Sequence, residues 1–169
     1  MSERIRIAIL VGSTKGRATA VATAVAAELT ARGRAAAVVP LDRADAATVA
    51  AADALVLCTS TFGSGGVPAN AVEFLARLEA GDIPCADVPV GWIGLGDRSF
   101  RDTYNGGWRR FERAFRVAGA VGLGEPLLFD AADALLPAAD DARRAARIAE
   151  WTGSFDAALA ARLAPTPRR

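Results

Sequence analysis

The feature that most constrains this chain is a set of short apolar runs, three of which end in a glycine or in hydroxyl-bearing residues. Residues 5–11 are apolar except for Arg6 and run into Gly12-Ser13-Thr14. Residues 36–39, 54–58, 90–95 and 125–129 repeat the pattern. Strands with one wet face alternate apolar and polar residues; runs without that alternation suit parallel strands buried on both faces. Between them lie stretches of helical character. Residues 18–32 place Ala18, Ala22, Val25 and Leu29 at helical spacing, and Gly33 stands where a C-terminal cap belongs. Residues 44–52 form a short Ala-rich helix, and Asn70 caps another that reaches about Leu78. Residues 107–118 carry Trp108, Phe111 and Phe115 on one face, and a last helix spans about residues 140–163 before a basic tail at 165–169. Strand and helix thus alternate about five times, which predicts an α/β protein: a doubly wound, five-stranded parallel sheet with helices on both faces.

At 169 residues and 52% hydrophobic, the chain is expected to fold as one domain, with a core over about residues 4–163. A net charge of +1 gives no global pull toward nucleic acid or a membrane surface. There is no histidine, which removes His-based nucleophile pairs and nearly all zinc sites. The two cysteines, Cys58 and Cys85, form no Cys-x-x-Cys motif, and Cys58 reads as a small core residue. Residues 1–4 run straight into the first strand, so no leader or membrane span is expected and a reduced, cytoplasmic setting is.

Ligands of open parallel sheets bind at the carboxyl ends of the strands, beside a switch in strand order. Three polar loops lie at that edge. The first, Gly12-Ser13-Thr14-Lys15-Gly16-Arg17-Ala18-Thr19, joins a buried strand to a helix N-terminus. Its hydroxyls, backbone N–H groups and helix dipole suit one small anion. It has neither the Lys-Ser/Thr pair of a Walker loop nor the G-x-G-x-x-G fingerprint, so a mononucleotide phosphate is the better guest and an ordinary polar turn the plain alternative. The second loop is Ser60-Thr61-Phe62-Gly63-Ser64-Gly65-Gly66-Val67-Pro68-Ala69-Asn70. The third is Gly94-Leu95-Gly96-Asp97-Arg98-Ser99-Phe100-Arg101-Asp102-Thr103-Tyr104-Asn105-Gly106-Gly107.

Taken together and in this order, the loops resemble those of the flavodoxin family, most closely its short MioC-type members and the FMN domains of diflavin reductases. The resemblance covers residue 5 to about residue 129. It implies the strand order 2-1-3-4-5 and bound FMN. By position, Ser13, Thr14, Lys15, Gly16, Arg17 and Ala18 would hold the phosphate. Ser60, Thr61, Phe62, Gly63 and Gly65 on one side, and Gly94, Gly96, Asp97, Phe100, Tyr104 and Asn105 on the other, would clamp the isoalloxazine ring. In the family, the peptide before the glycine at position 63 turns a carbonyl toward the reduced ring. Gly63, free to rotate at low cost, is therefore expected to support a neutral semiquinone.

The departures from the family pattern also matter. The usual stacking tyrosine is Phe100 here, and Tyr104 is displaced by an apparent one-residue insertion near Arg101 and Asp102. Either ring can stack, with Phe100 preferred. Around the proposed rim Lys15, Arg17, Arg98, Arg101, Arg109 and Arg110 outnumber Asp97 and Asp102, whereas typical flavodoxins are acidic there. Weaker repulsion of the reduced anion implies a less negative second potential, since one-electron couples move about 59 mV per tenfold change in equilibrium constant. It also suggests docking to an acidic partner, with a solvated charged face as the plain alternative. The expected function is a monomeric one-electron carrier between a separate flavin reductase and an acceptor enzyme, with no nucleic-acid or membrane partner. The alternatives are an FMN-dependent NAD(P)H:quinone-type reductase and a flavodoxin-like protein that has lost its cofactor. Trp92, Trp108 and Trp151 read as packing residues, and Arg143-Arg144 as a solvent face.

Overall fold

The computed structural model describes residues 3–130 and 139–166; residues 167–169 of the expected basic tail fall outside them. The strands are β1 (Arg6–Gly12), β2 (Ala35–Pro40), β3 (Ala54–Ser60), β4 (Pro89–Gly96), β5 (Val121–Gly122) and β6 (Leu127–Asp130). All pair in parallel, in the order β2-β1-β3-β4-β5, with β6 also on β4. The helices are α1 (Arg17–Ala31), α2 (Ala46–Ala51), α3 (Val72–Glu79), α4 (Gly106–Val117) and α5 (Ala139–Leu163). The expected fold class and strand order are what the structure has.

Successive strand residues point to opposite faces, and here both faces are covered, hence the unbroken apolar runs. Ile7, Ile9, Val11, Val56, Cys58 and Ile93 face α1 and α5. Ala8, Leu10, Leu55, Leu57, Val90 and Trp92 face α2, α3 and α4. The second layer is aromatic: Phe115 lies 5.8 Å from Trp92 and 6.3 Å from both Phe74 and Phe111 between ring centroids. Each fully buried Phe or Leu contributes about 1.5–3 kcal/mol relative to exposure. On the other face Gly91 makes room for Phe155, whose ring would lie 2.7 Å from a Cβ at that position. Trp151 stacks on Phe155 and donates its indole N–H to the Glu125 carbonyl. An ion pair of 2.6 Å between Arg34 and Asp156 ties α5 to the start of β2.

Two expectations need correction. The fifth strand expected at 125–129 is present as β6, Leu127–Asp130, but a separate two-residue strand, β5, precedes it. β5 pairs with Pro89 and Val90, while β6 pairs from Ile93↔Leu127 to Gly96↔Asp130. Gly124 takes a positive φ of 69° between them and Pro126 brings no N–H, so the ladder cannot run through. The second concerns Asn70. The helix α3 begins two residues later, with Ala71 at its N-cap and no side-chain cap. The Asn70 amide turns instead to the first loop, accepting from the Ser13 N–H at 3.1 Å and donating to the Val11 carbonyl at 3.2 Å. The Gly33 cap holds: φ is +82°, and its N–H donates to Thr30.

The register aligns the carboxyl ends. Gly12 pairs with Thr59, Thr59 with Gly94, and Gly96 with Asp130. β1 is followed by β2 on one side and β3 on the other, so strand order reverses at the edge where the first loop emerges.

Candidate functional site

The first loop is built around an open helix end. Gly16 is the N-cap of α1 in the left-handed region (φ 81°, ψ 2°), with no side-chain cap and no acidic residue in the first turn. The first N–H groups of a helix lack intrahelical partners, and the macrodipole favours an anion beside them. Ser13 Oγ accepts from the Gly16 N–H at 3.0 Å, which folds the loop back on itself. Thr14, Lys15 and Arg17 are exposed, while Ala18 is fully buried under the turn. Ala18 therefore contributes backbone and packing rather than a side-chain contact. At the root of the loop Gly12 is required, because a Cβ there would lie 2.6 Å from Thr59 Oγ1.

The second loop is a small closed turn. Phe62 and Gly66 exchange both backbone hydrogen bonds, at 2.8 and 2.9 Å, around Gly63-Ser64-Gly65. Gly63 and Gly65 have φ of +56° and +87°, values at which a side chain is strained. The turn leaves the Phe62 ring 59% exposed at its tip.

The third loop follows β4 as 3-10 turns over Arg98–Thr103, with a kink at Phe100 and Arg101 where the sequence suggests an extra residue. Phe100 is 51% exposed, whereas Tyr104 is half-buried with the Arg98 guanidinium 5.8 Å from its ring centroid. Of the two candidate rings, Phe100 is the one presented to solvent. Asn105 is fully buried in the left-handed region (φ 55°), and its amide meets no protein hydrogen-bond partner among the described residues. Gly94 and Gly96 serve it: a Cβ on either would come within about 3.0 Å of the Asn105 amide. These three lie beneath the third loop and shape it from below.

The second and third loops touch through glycine. A Cβ on Gly106 would lie 2.6 Å from Gly65 Cα, and one on Gly107 would lie 2.7 Å from the Ser60 carbonyl oxygen. The Gly107 N–H also reaches Thr61 Oγ1 at 3.4 Å, and the Thr61 N–H donates to the Leu95 carbonyl.

Beside these loops, between α1, α5 and the carboxyl ends of β3, β4 and β6, lies a cavity of about 420 Å³, within the range of small-molecule sites; Ser13, Thr14, Phe62, Phe100 and Tyr104 are not on its lining. It brings together Arg17, Ser60, Thr61, Gly96 and Asp97, drawn from all three predicted loops. Its walls add residues not expected from sequence: Asp130 at the end of β6, and Ala20, Val21, Asp141, Arg144 and Ile148 of the two helices on that face. Asp130 was within reach of the rule that ligands gather at strand carboxyl ends. The α5 residues carry no local signal, since only the packing of α5 against α1 brings them there. Arg144 is turned to this cavity and pairs with Asp141 at 3.4 Å rather than lying on a solvent face.

The rim keeps part of its expected basic character. Lys15, Arg101 and Arg109 are exposed, but Arg110 pairs with Glu79 and Arg98 with Asp130. The cysteines are unsuited to chemistry here. Both are buried; desolvation pushes the Cys58 thiol far above its usual range and the Cys85 thiol up to about 11. No group of three or more Cys, Asp or Glu that could hold a metal occurs among the described residues, and no helix among them is long and apolar enough to cross a membrane.

Comparison with known proteins agrees with this geometry. An uncharacterized Pseudomonas aeruginosa protein, PA3435, is 31% identical over 155 residues, covering 92% of this chain and 99% of its own length. A cysteine-substituted flavodoxin from Pseudomonas aeruginosa superposes with a TM-score of 0.73 at 30% identity, covering 90% of this chain and 99% of that one. A Fusobacterium nucleatum flavodoxin bound to flavin mononucleotide has the same fold, with a TM-score of 0.71 at 16% identity, covering 90% of this chain and 97% of that one. The profile of the family described as Flavodoxin matches residues 9–143, and the chain belongs to that family.

Proposed function

We propose that this protein binds FMN non-covalently across the three loops and carries electrons singly between a separate reductase and an acceptor enzyme. The observation that carries the reading is the set of groups that the three loops bring to this one sheet edge. An uncapped helix N-terminus with Ser13 and Thr14 suits one phosphate. Ser60, Thr61 and Asp97 line the cavity and suit a polyol. Two exposed aromatic rings, Phe62 and Phe100, on loops in mutual contact suit a flat heterocycle. A phosphate, a polyol chain and a flat heterocycle are the parts of FMN. When bound, the flavin supplies a centre that gains and loses electrons one at a time.

The chain's own residues do the rest. The first loop neutralises and orients the phosphate through N–H groups and hydroxyls. The ring-side loops exclude water from the flat faces and, through backbone groups, offer both donors and acceptors to the ring edge. Exposed Lys15, Arg101 and Arg109 give the mouth of the site positive charge, which supports docking to an acidic partner surface. The same charges oppose accumulation of negative charge on the ring less than an acidic rim would. A less negative second reduction potential than in an acidic flavodoxin is expected, and potentiometry checks it.

The test is direct. Protein saturated with flavin should be yellow, release FMN rather than FAD on acid treatment, and oxidise NADPH or NADH negligibly unless a reductase is added. Fast NAD(P)H oxidation by the protein alone would favour a quinone-type reductase. A preparation that stays colourless with excess FMN would end the proposal.

A further inference from the structure

Asp130 sits at the last residue of β6, in register with Gly96, and its side chain is only 10% exposed. Its carboxylate is aimed at the first residue of the third loop's 3-10 turns. Asp130 Oδ1 accepts from the Arg98 backbone N–H at 3.2 Å, and Oδ2 lies 3.4 Å from Arg98 Nε. One carboxylate therefore holds both the main chain and the side chain of Arg98. The Arg98 guanidinium in turn lies 5.8 Å from the Tyr104 ring centroid, within the range of a cation–π contact. The loop so bracketed, from Arg98 to Tyr104, carries exposed Phe100 and packs through Thr103 on Gly65 of the second loop, with 3.1 Å from a Cβ on Gly65 to Thr103 Cβ.

We infer that Asp130 is a positioning residue for the ring-side clamp: by grasping Arg98 at both ends it fixes the path of the third loop, and with it Phe100 and Tyr104. The physical case rests on asymmetry. Arg98 is 75% exposed and by itself would hold nothing, because an exposed ion pair contributes little. Asp130 is nearly buried, so its carboxylate has few orientations, and charge-assisted bonds to a backbone N–H have directional strength. A loop with a kink at Phe100 and Arg101 has no continuous helical ladder to hold it, so an anchor at its first residue determines where its tip goes. The inference rests on the proposed flavin site for its consequence, but not for the clasp itself.

The experiment therefore reads both. Tyr104 is the chain's only tyrosine, so ring-labelled tyrosine gives one NMR spin system. In the flavin-free protein, Asp130→Asn should shift that system and speed amide exchange over residues 98–104, as should Arg98→Ala. The FMN dissociation constant of Asp130→Asn should rise roughly tenfold, the scale of losing one charge-assisted bond; that of Arg98→Ala, which keeps the main-chain bond to Asp130 and loses only an exposed ion pair, should rise less. The double variant should be no worse than Asp130→Asn, because that variant already loses the ion pair that Arg98→Ala removes. An unmoved tyrosine signal with unchanged exchange would overturn the clasp. So would binding losses that multiply in the double variant, which would place Asp130 in direct contact with the flavin. If wild-type protein binds no FMN, the functional proposal fails while the NMR and exchange readouts still decide the clasp.

Discussion

The two ends of the proposed flavin site are built in opposite ways. The phosphate end is open: Thr14, Lys15 and Arg17 are exposed, and the principal tie to the rest of the molecule is the Asn70 amide, which bridges Ser13 and Val11. The ring end is a closed assembly in which Gly65, Gly106 and Gly107 let two loops touch backbone to backbone. The difference teaches how binding free energy is divided. A charged group can be met by a helix end and mobile cations, because electrostatic attraction tolerates imprecise geometry. A flat ring needs two surfaces at a fixed separation, so the clamp is set in advance by the backbone.

The strongest way to break this comparison is Gly106→Ala. Its Cβ meets Gly65 Cα at 2.6 Å and forces the loops apart. Overpacking costs about 1–3 kcal/mol. Affinity for FMN and for riboflavin should fall together, by up to roughly 100-fold, in fluorescence titrations. Loss for FMN alone would mean that the ring clamp is not preset. Next is Asn70→Ala, which strips partners from Ser13 N–H and the Val11 carbonyl at a cost of about 1–3 kcal/mol. It should weaken FMN roughly tenfold and leave riboflavin nearly unchanged, because riboflavin lacks the phosphate.

Smaller effects sharpen the ring end. Phe62→Ala and Phe100→Ala should each weaken both flavins about threefold to tenfold, from about 0.5–1.5 kcal/mol of ring contact. Tyr104→Phe should do nothing measurable in the same titration. Gly63→Ala is the mildest for affinity, since a Cβ there meets no atom within 4 Å. Its φ of +56° makes the substitution a backbone strain of about 1 kcal/mol. It should chiefly lower the yield of half-reduced flavin in a reductive titration, and an unchanged yield would show that this peptide's rotation does not matter.

Much of the fold was legible because it rests on local pattern. Unbroken apolar runs this short, bounded by turn residues, suit strands covered on both faces, and the helices between them call for parallel pairing. The split of β5 from β6 was less legible, although Gly124 and Pro126 mark it, because a two-residue strand such as Val121–Gly122 has too few residues to show a period. The site divides in the same way. Ser13, Gly16, Phe62 and Phe100 lie on loops whose chemistry is written consecutively. Asn70 was read as a helix cap because Asn at a loop's end usually is one. Its partners lie 57 and 59 residues away, so no local pattern could announce them. Gly94 and Gly96 read as ring contacts, and no local pattern shows that they also make the space that buried Asn105 fills.

By itself the sequence determined which segments become strands, which edge of the sheet carries the polar loops, and which loop suits an anion. These are consequences of periodicity and backbone chemistry within about a dozen neighbouring residues. Only the tertiary structure decided that glycines of two loops would touch, that Asn70 would serve the first loop, and that Asp130 would hold the third. Such contacts join residues distant in the chain, and their existence depends on distances of a few tenths of an ångström that no residue order encodes locally.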